Sequence, residues 1–187
     1  VVGHRKKYPG AENYLGESEH SFNSRIARKL GHKLKNNKIR IFIEGRRDEL
    51  LDSNKKLRER VIQHKPDFII ELHFNSFPDA VIKGAEILTA TRTMSPLYKN
   101  IDKFYNLIFP KFTEIGVKNR GVKNLREGDR GFKNLKPYDL AGIPAVIIEP
   151  CFGNYRHEET MAIFENEDRY VDILKESCLG YFKSDTP

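Results

Sequence analysis

Residues 144–154 read PAVIIEPCFGN, an apolar run that ends on a carboxylate, Glu149, and is stopped at once by Pro150. Five residues of this composition between two prolines are suited to a strand covered on both faces, and such strands belong to sheets flanked by helices. A glutamate at the end of a buried strand sits at the rim of the sheet, where open α/β sheets gather their sites.

Working outward, 67–74 (DFIIELHF) is a second apolar run, 84–90 (GAEILTA) a third, and 38–43 (KIRIFI) alternates polar and apolar as a half-buried strand does. The opening Val1-Val2 is expected as the stub of a further strand. Helical spacing lies between these runs: Phe22, Ile26, Leu30 and Leu34 within 19–36, then 49–64, 96–115 and a C-terminal region over 157–183. The alternation predicts a single α/β domain over 1–187, with a mostly parallel or mixed twisted sheet of five to six strands and helices on both faces. A short echo, NRGVKNL at 119–125 and DRGFKNL at 129–135, is expected to form two turn-strand pieces of a meander or a basic loop that grips an anionic substrate. Residues 183–187 are expected to fray or to begin a linker.

The chain's 187 residues allow one sizeable core. No apolar run approaches the roughly 20 residues a membrane span needs, and the N-terminus carries no signal-peptide succession. Lys and Arg number 33 against 26 Asp and Glu, a net +7 that favours an anionic partner such as nucleic acid, a membrane surface or an acidic wall polymer. Nucleic acid is disfavoured, because zinc-finger cysteines, RRM-type aromatics and Trp are missing and the basic residues are scattered. Cys151 and Cys178 have no metal-ligand spacing and read as buried thiols, with Cys151 as nucleophile the lesser reading.

His4 follows the first apolar stub and Gly3, and His73 ends the run at 67–74, so two imidazoles are expected at neighbouring strand ends. Glu17 and Glu19 stand just ahead of the first helix, where a carboxylate serves the helix dipole or completes a two-histidine, one-carboxylate metal set with an open fourth position. Spacing leaves the choice between them open. A second carboxylate at the rim, Glu149, would take the proton of an attacking water and return it to a leaving nitrogen. Asn75 after the His73 strand is a candidate support for that strand end or a turn residue, and Arg130 a candidate grip on a substrate carboxylate. His20, His32, His64 and His157 are expected as surface or cap residues, with His157 also placed to line a cleft.

Four pieces in order resemble the zinc-dependent N-acetylmuramoyl-L-alanine amidases, the third of the amidase families: VVGH (1–4), ESEHSFNSRIARKL (17–30), FIIELHFNS (68–76) and IPAVIIEPCFGN (143–154). EGRRDELLDSNKKLRER (44–60) is similar to the family's arginine and aspartate stretch. The chain departs from the family's pattern in having Gly-His-Arg in place of Gly-His-Gly, and Val-Val in place of Asp-Pro, while YPGAEN (8–13) keeps a Pro-Gly-Ala. The resemblance implies one zinc per chain held by His4, Glu19 and His73, with Glu149 as catalytic base. It also implies peptidoglycan as substrate, cut between N-acetylmuramic acid and L-alanine, at the cell wall, in the periplasm or outside the cell. A zinc carboxypeptidase or small-molecule amidohydrolase on a related scaffold, and a non-enzymatic basic wall-binding module, are the alternatives. The carboxypeptidase pattern of His and Glu close together on one loop is not found at His4, whose nearest downstream glutamate is Glu12.

Overall fold

The computed structural model describes residues 1–4, 8–35, 37–45 and 54–183. Its elements run α1 (Glu19–Leu34), α2 (Asn54–Gln63), β1 (Ile69–Leu72), β2 (Ala85–Thr89), α3 (Tyr98–Glu114), β3 (Asn119–Asn124), α4 (Phe132–Leu140), β4 (Ala145–Glu149), α5 (Glu158–Phe164) and α6 (Glu167–Lys183). The sheet has four strands in the order β1-β4-β2-β3, with β4 parallel to β1 and antiparallel to β2, and β3 parallel to β2.

The central pair β4 and β2 is buried at every residue, which is why both read as continuous apolar runs. Side chains alternate across the sheet with a period of two. Ile87, Val146 and Ile148 therefore face a layer made with Phe22, Phe104, Ile108, Phe112 and Tyr170 of α1, α3 and α6. Ile69, Leu88 and Ile147 face the other side, against Leu57 and Val61 of α2 and Leu135 and Tyr138 of α4. Covering both faces leaves the polar ends of the strands as the place where water and substrate reach the backbone rim.

Several expectations are corrected. The segment 38–43 is not a strand, and among the described residues the sheet has four strands rather than five or six. Its apolar side chains Ile39, Ile41 and Ile43 do pack on the core. A strand also needs a partner backbone about 4.8 Å away, and a cavity of about 850 Å³, lined by Ile39, Ile41, Phe68 and Ile70 among others, lies between this segment and β1. The opening stub makes only an isolated bridge: Val2 pairs with Leu72 in parallel, and the Val2 N–H donates to Glu44 O at 2.9 Å. The echo is not a meander. Its first copy is β3, while its second copy enters α4 through Gly131 at φ +89°, so the same Gly-x-Lys-Asn-Leu string takes opposite local structures. Residues 46–53 of the arginine and aspartate stretch, Arg5, and the tail 184–187 lie outside the described residues.

Candidate active site

The site is built where β1 and β4 end. The His73 N–H donates to Ile148 O at 3.1 Å and the Asn75 N–H to Cys151 O at 2.9 Å, so residues 73–75 run beside 148–152 past the strands proper. Glu71, His73 and Glu149 fall on one face by the two-residue period, at adjacent strand ends. From the other direction α1 brings its first residue. Ser18 caps the helix, its hydroxyl accepting from the Ser21 N–H, and Glu19 follows with its N–H donating to Ala11 O at 2.8 Å.

Glu19 is fully buried and bridges two histidines. Its Oε1 lies 2.8 Å from His73 Nδ1, its Oε2 3.2 Å from His4 Nε2, and the Phe74 and Ala11 N–H groups donate to it at 3.2 and 3.3 Å. One donor atom from each of His4, Glu19 and His73 can be chosen so that all lie within 4.8 Å of one another. Two glycines make this closeness sterically accessible. A Cβ on Gly3 would sit 2.5 Å from the His73 ring, and one on Gly10, at φ +84°, would sit 2.6 Å from Glu19 Oε2 and 2.7 Å from His4 Cδ2. His4 itself takes φ +61°, a left-handed backbone uncommon for a side-chain-bearing residue and often found where a site fixes the chain.

The electrostatics follow from burial and pairing. Burial pushes the Glu19 carboxyl up, but its hydrogen bonds to His4 and His73 outweigh that and hold it at about 2. Burial pushes His73 down, yet Glu19, Glu71 and the charge of Glu149 raise it to about 10. Glu149 has no such partner: burial raises it, His73 and Arg130 pull it back, Glu19 and Glu86 push it further, and it lies at about 8. Its Oε2 and His73 Nε2 are buried without a hydrogen-bond partner. Two imidazoles and a carboxylate are donors suited to zinc, and a protein that crowds them together near the orphaned Glu149 Oε2 fits a cation at this point.

Other candidates are placed elsewhere. Glu17 turns to Arg25, which also grips Glu167 and so ties α1 to α6. Asn75 Nδ2 donates to Glu86 Oε1 at 2.7 Å, and Glu86, opposite Glu149 in the β2–β4 register, also holds Arg120 at 2.9 Å and Lys123 at 2.5 Å. Arg130 is exposed in the turn before α4 and acts on Glu149 through its charge. His157 caps α5, accepting from the Thr160 N–H, as a cap reading expects. His20 is corrected from a surface residue: it is buried, with Nδ1 3.3 Å from the carbonyl of His4. Both cysteines are buried and unpaired, and burial lifts the Cys151 thiol far from a reactive thiolate. Gly10, Glu71 and Glu86 were missed as site residues. The Pro-Gly-Ala string and the acid two places before His73 were the available signals.

The model of a family described as N-acetylmuramoyl-L-alanine amidase matches residues 1–178. A protein of Buchnera aphidicola subsp. Schizaphis graminum (strain Sg), named "Putative N-acetylmuramoyl-L-alanine amidase", is 31% identical over 114 residues, which cover 58% of this chain and 48% of that protein. The alignment thus spans about half of that relative's length. Among solved structures, an N-acetylmuramoyl-L-alanine amidase from Clostridium difficile 630 superposes with a TM-score of 0.79 at 21% identity, covering 99% of this chain and 96% of that one. The catalytic domain of CwlV, from Bacillus (Paenibacillus) polymyxa var. colistinus, gives 0.75 at 21% identity with 97% of each chain covered. At such identities the structures speak for the fold, whereas the family model, matched along nearly the whole sequence, speaks for descent, and the chain belongs to the N-acetylmuramoyl-L-alanine amidase family.

Proposed function

We propose that this chain hydrolyses the amide between the lactyl group of N-acetylmuramic acid and the first L-alanine of the peptidoglycan stem, with one zinc ion held by His4, Glu19 and His73. The observation that carries the reading is the meeting of those three donors beside a buried, unpartnered Glu149 in a chain of this family. Bound there, zinc supplies Lewis-acid polarisation of the scissile carbonyl and acidifies the attacking water.

Glu149 does the proton work. Its carboxylate accepts a proton from the water as the carbon–oxygen bond forms, then delivers it to the alanine nitrogen as the carbon–nitrogen bond breaks. The products are a lactyl carboxylate and a peptide with a free alanine amine. A carboxyl raised toward neutrality is a stronger base than an ordinary one, and general-base efficiency peaks when the group's pKa approaches the working pH. Arg130 at the rim supports capture of a stem-peptide carboxylate, and the net +7 supports attraction to anionic wall polymers. The site of action is the cell wall, and among the described residues no helix is long and apolar enough to cross a membrane.

Purified protein on purified peptidoglycan, with and without a chelator, tests the reading. The expected products are chelator-sensitive stem peptides with new alanine N-termini in the mass spectrum. Zinc-loaded protein that releases none would sink the substrate assignment, and undiminished release after complete zinc removal would sink the metal.

A further inference from the structure

The ligand set leaves one buried polar atom unexplained. His73 Nδ1 faces the cluster, 2.8 Å from Glu19 Oε1. Its Nε2 is buried without a hydrogen-bond partner and lies 3.7 Å from Glu71 Oε2. We propose that Glu71 is a positioning residue for metal capture: its carboxylate receives the Nε2–H of His73, so that His73 offers the lone pair of Nδ1 to the ion. This rests on the zinc reading above.

The chemistry requires such an acceptor. A neutral imidazole carries one N–H, and a ring that gives the Nδ1 lone pair to a cation must carry its hydrogen on Nε2. A buried N–H left unpaired carries an uncompensated desolvation cost, which would be drawn from the metal's binding energy. Glu71 is placed to prevent that loss. It is 3% exposed and stands two residues before His73 on the same face of the strand. Its carboxylate is also anchored from α4: Tyr138 Oη donates to Oε1 at 3.3 Å and Asn134 Nδ2 to Oε2 at 3.4 Å. Asn134 is gripped in turn by Arg58 of α2, whose Nε donates to the Asn134 carbonyl at 2.9 Å and whose Nη2 donates to Oδ1.

A carboxylate held in this way has little freedom to follow the ring, so the ring must come to it. A tilt of under about 1 Å brings Nε2 and Oε2 to hydrogen-bond distance, a tightening of the kind metal-free sites undergo on loading. The negative charge behind the ring also makes Nδ1 a better donor. In this arrangement the α2–α4 layer supports the metal site through the chain Arg58–Asn134–Glu71–His73, although none of the first three residues is a ligand.

The test is zinc affinity, measured on the full chain by competition with a chromogenic chelator, for wild type, Glu71→Gln and Glu71→Ala, with metal-free melting temperatures alongside. Loss of an acceptor behind a ligating histidine costs about 10- to 100-fold in metal affinity, so Glu71→Ala is expected to bind zinc that much more weakly, and Glu71→Gln, whose amide oxygen still accepts, less so. Folded variants with wild-type zinc affinity would overturn the proposal while leaving the zinc reading intact. Wild type that binds no zinc would overturn both. If the variants do not fold, nitrogen-15 NMR of the histidine rings in zinc-loaded wild type decides it: a protonated Nε2 with zinc on Nδ1 of His73 is expected, and zinc on Nε2 overturns it.

Discussion

Glu149→Gln should make the metal-free protein more stable as the pH rises, even though it removes the group proposed to move the proton. Glu149 is only 9% exposed, its Oε2 has no partner, and its carboxyl lies at about 8 against an ordinary 4.5. A group whose folded pKa is raised contributes stability that is complete below the unfolded value and is lost as pH climbs through the folded one. For Glu149 that window runs from 4.5 to about 8. At about 1.36 kcal/mol per pH unit, an interval of about 3.5 units sets a ceiling of about 5 kcal/mol. Water reaching the rim screens part of this, and a gain of about 1–3 kcal/mol is the realistic size. His73, raised to about 10 in part by the charge of Glu149, loses its own contribution between 6.5 and about 10, and the substitution removes the share that Glu149 supplies, so the difference curve reports Glu149 together with its coupling to His73. Urea unfolding with chelator at about pH 5 and about pH 8.5 measures it. The variant's advantage should grow by that amount between the two. A difference that does not change with pH would refute the claim that Glu149 is held protonated by burial.

Three further outcomes follow from the same geometry. Gly10→Ala forces a Cβ into Glu19 and His4 from a left-handed backbone, so zinc affinity should fall at least about 10-fold with a stability loss of about 1–3 kcal/mol, and unaltered metal binding by titration would contradict the packing. Glu17→Ala should keep zinc and lose about 1 kcal/mol or less through the partly exposed Arg25 pair, whereas Glu19→Ala should lose the metal in elemental analysis; the reverse result would exchange their roles. Cys151→Ser should stay active on peptidoglycan, since the thiol is fully buried and held neutral, and an inactive but folded variant would return it to the mechanism.

How far residue patterns reach can be judged from particular elements. β4 and β2 were legible because burial on both faces leaves an unbroken apolar run, and α1 because Phe22, Ile26 and Leu34 repeat at helical spacing on a buried face. The segment 38–43 misled for the same reason it attracted notice: its alternation reports which side chains are buried, and says nothing about whether a neighbouring backbone is within pairing distance. The echo misled because Gly121 and Gly131 each allow positive φ, so the shared string does not choose between strand and helix; β3 gains a partner in β2, and α4 gains the apolar layer around Leu135 and Tyr138.

The same division holds at the site. The sequence by itself determined the chemical inventory, two histidines at expected strand ends, a carboxylate ahead of the first helix and another closing the last strand, because the types and local settings of these residues are written in order along the chain. Residue spacing left Glu17 and Glu19 open and the family resemblance pointed to Glu19; only the tertiary structure decided which atoms meet: that Glu19 reaches both histidines while Glu17 turns to Arg25, that Gly3 and Gly10 clear the space, and that Glu71 lies behind His73. Those choices depend on distances between segments far apart in the chain, as with Glu19 Oε1 and His73 Nδ1, 54 residues apart and 2.8 Å from one another. Local patterning sets which face a residue presents, and long-range packing sets what that face finds opposite it.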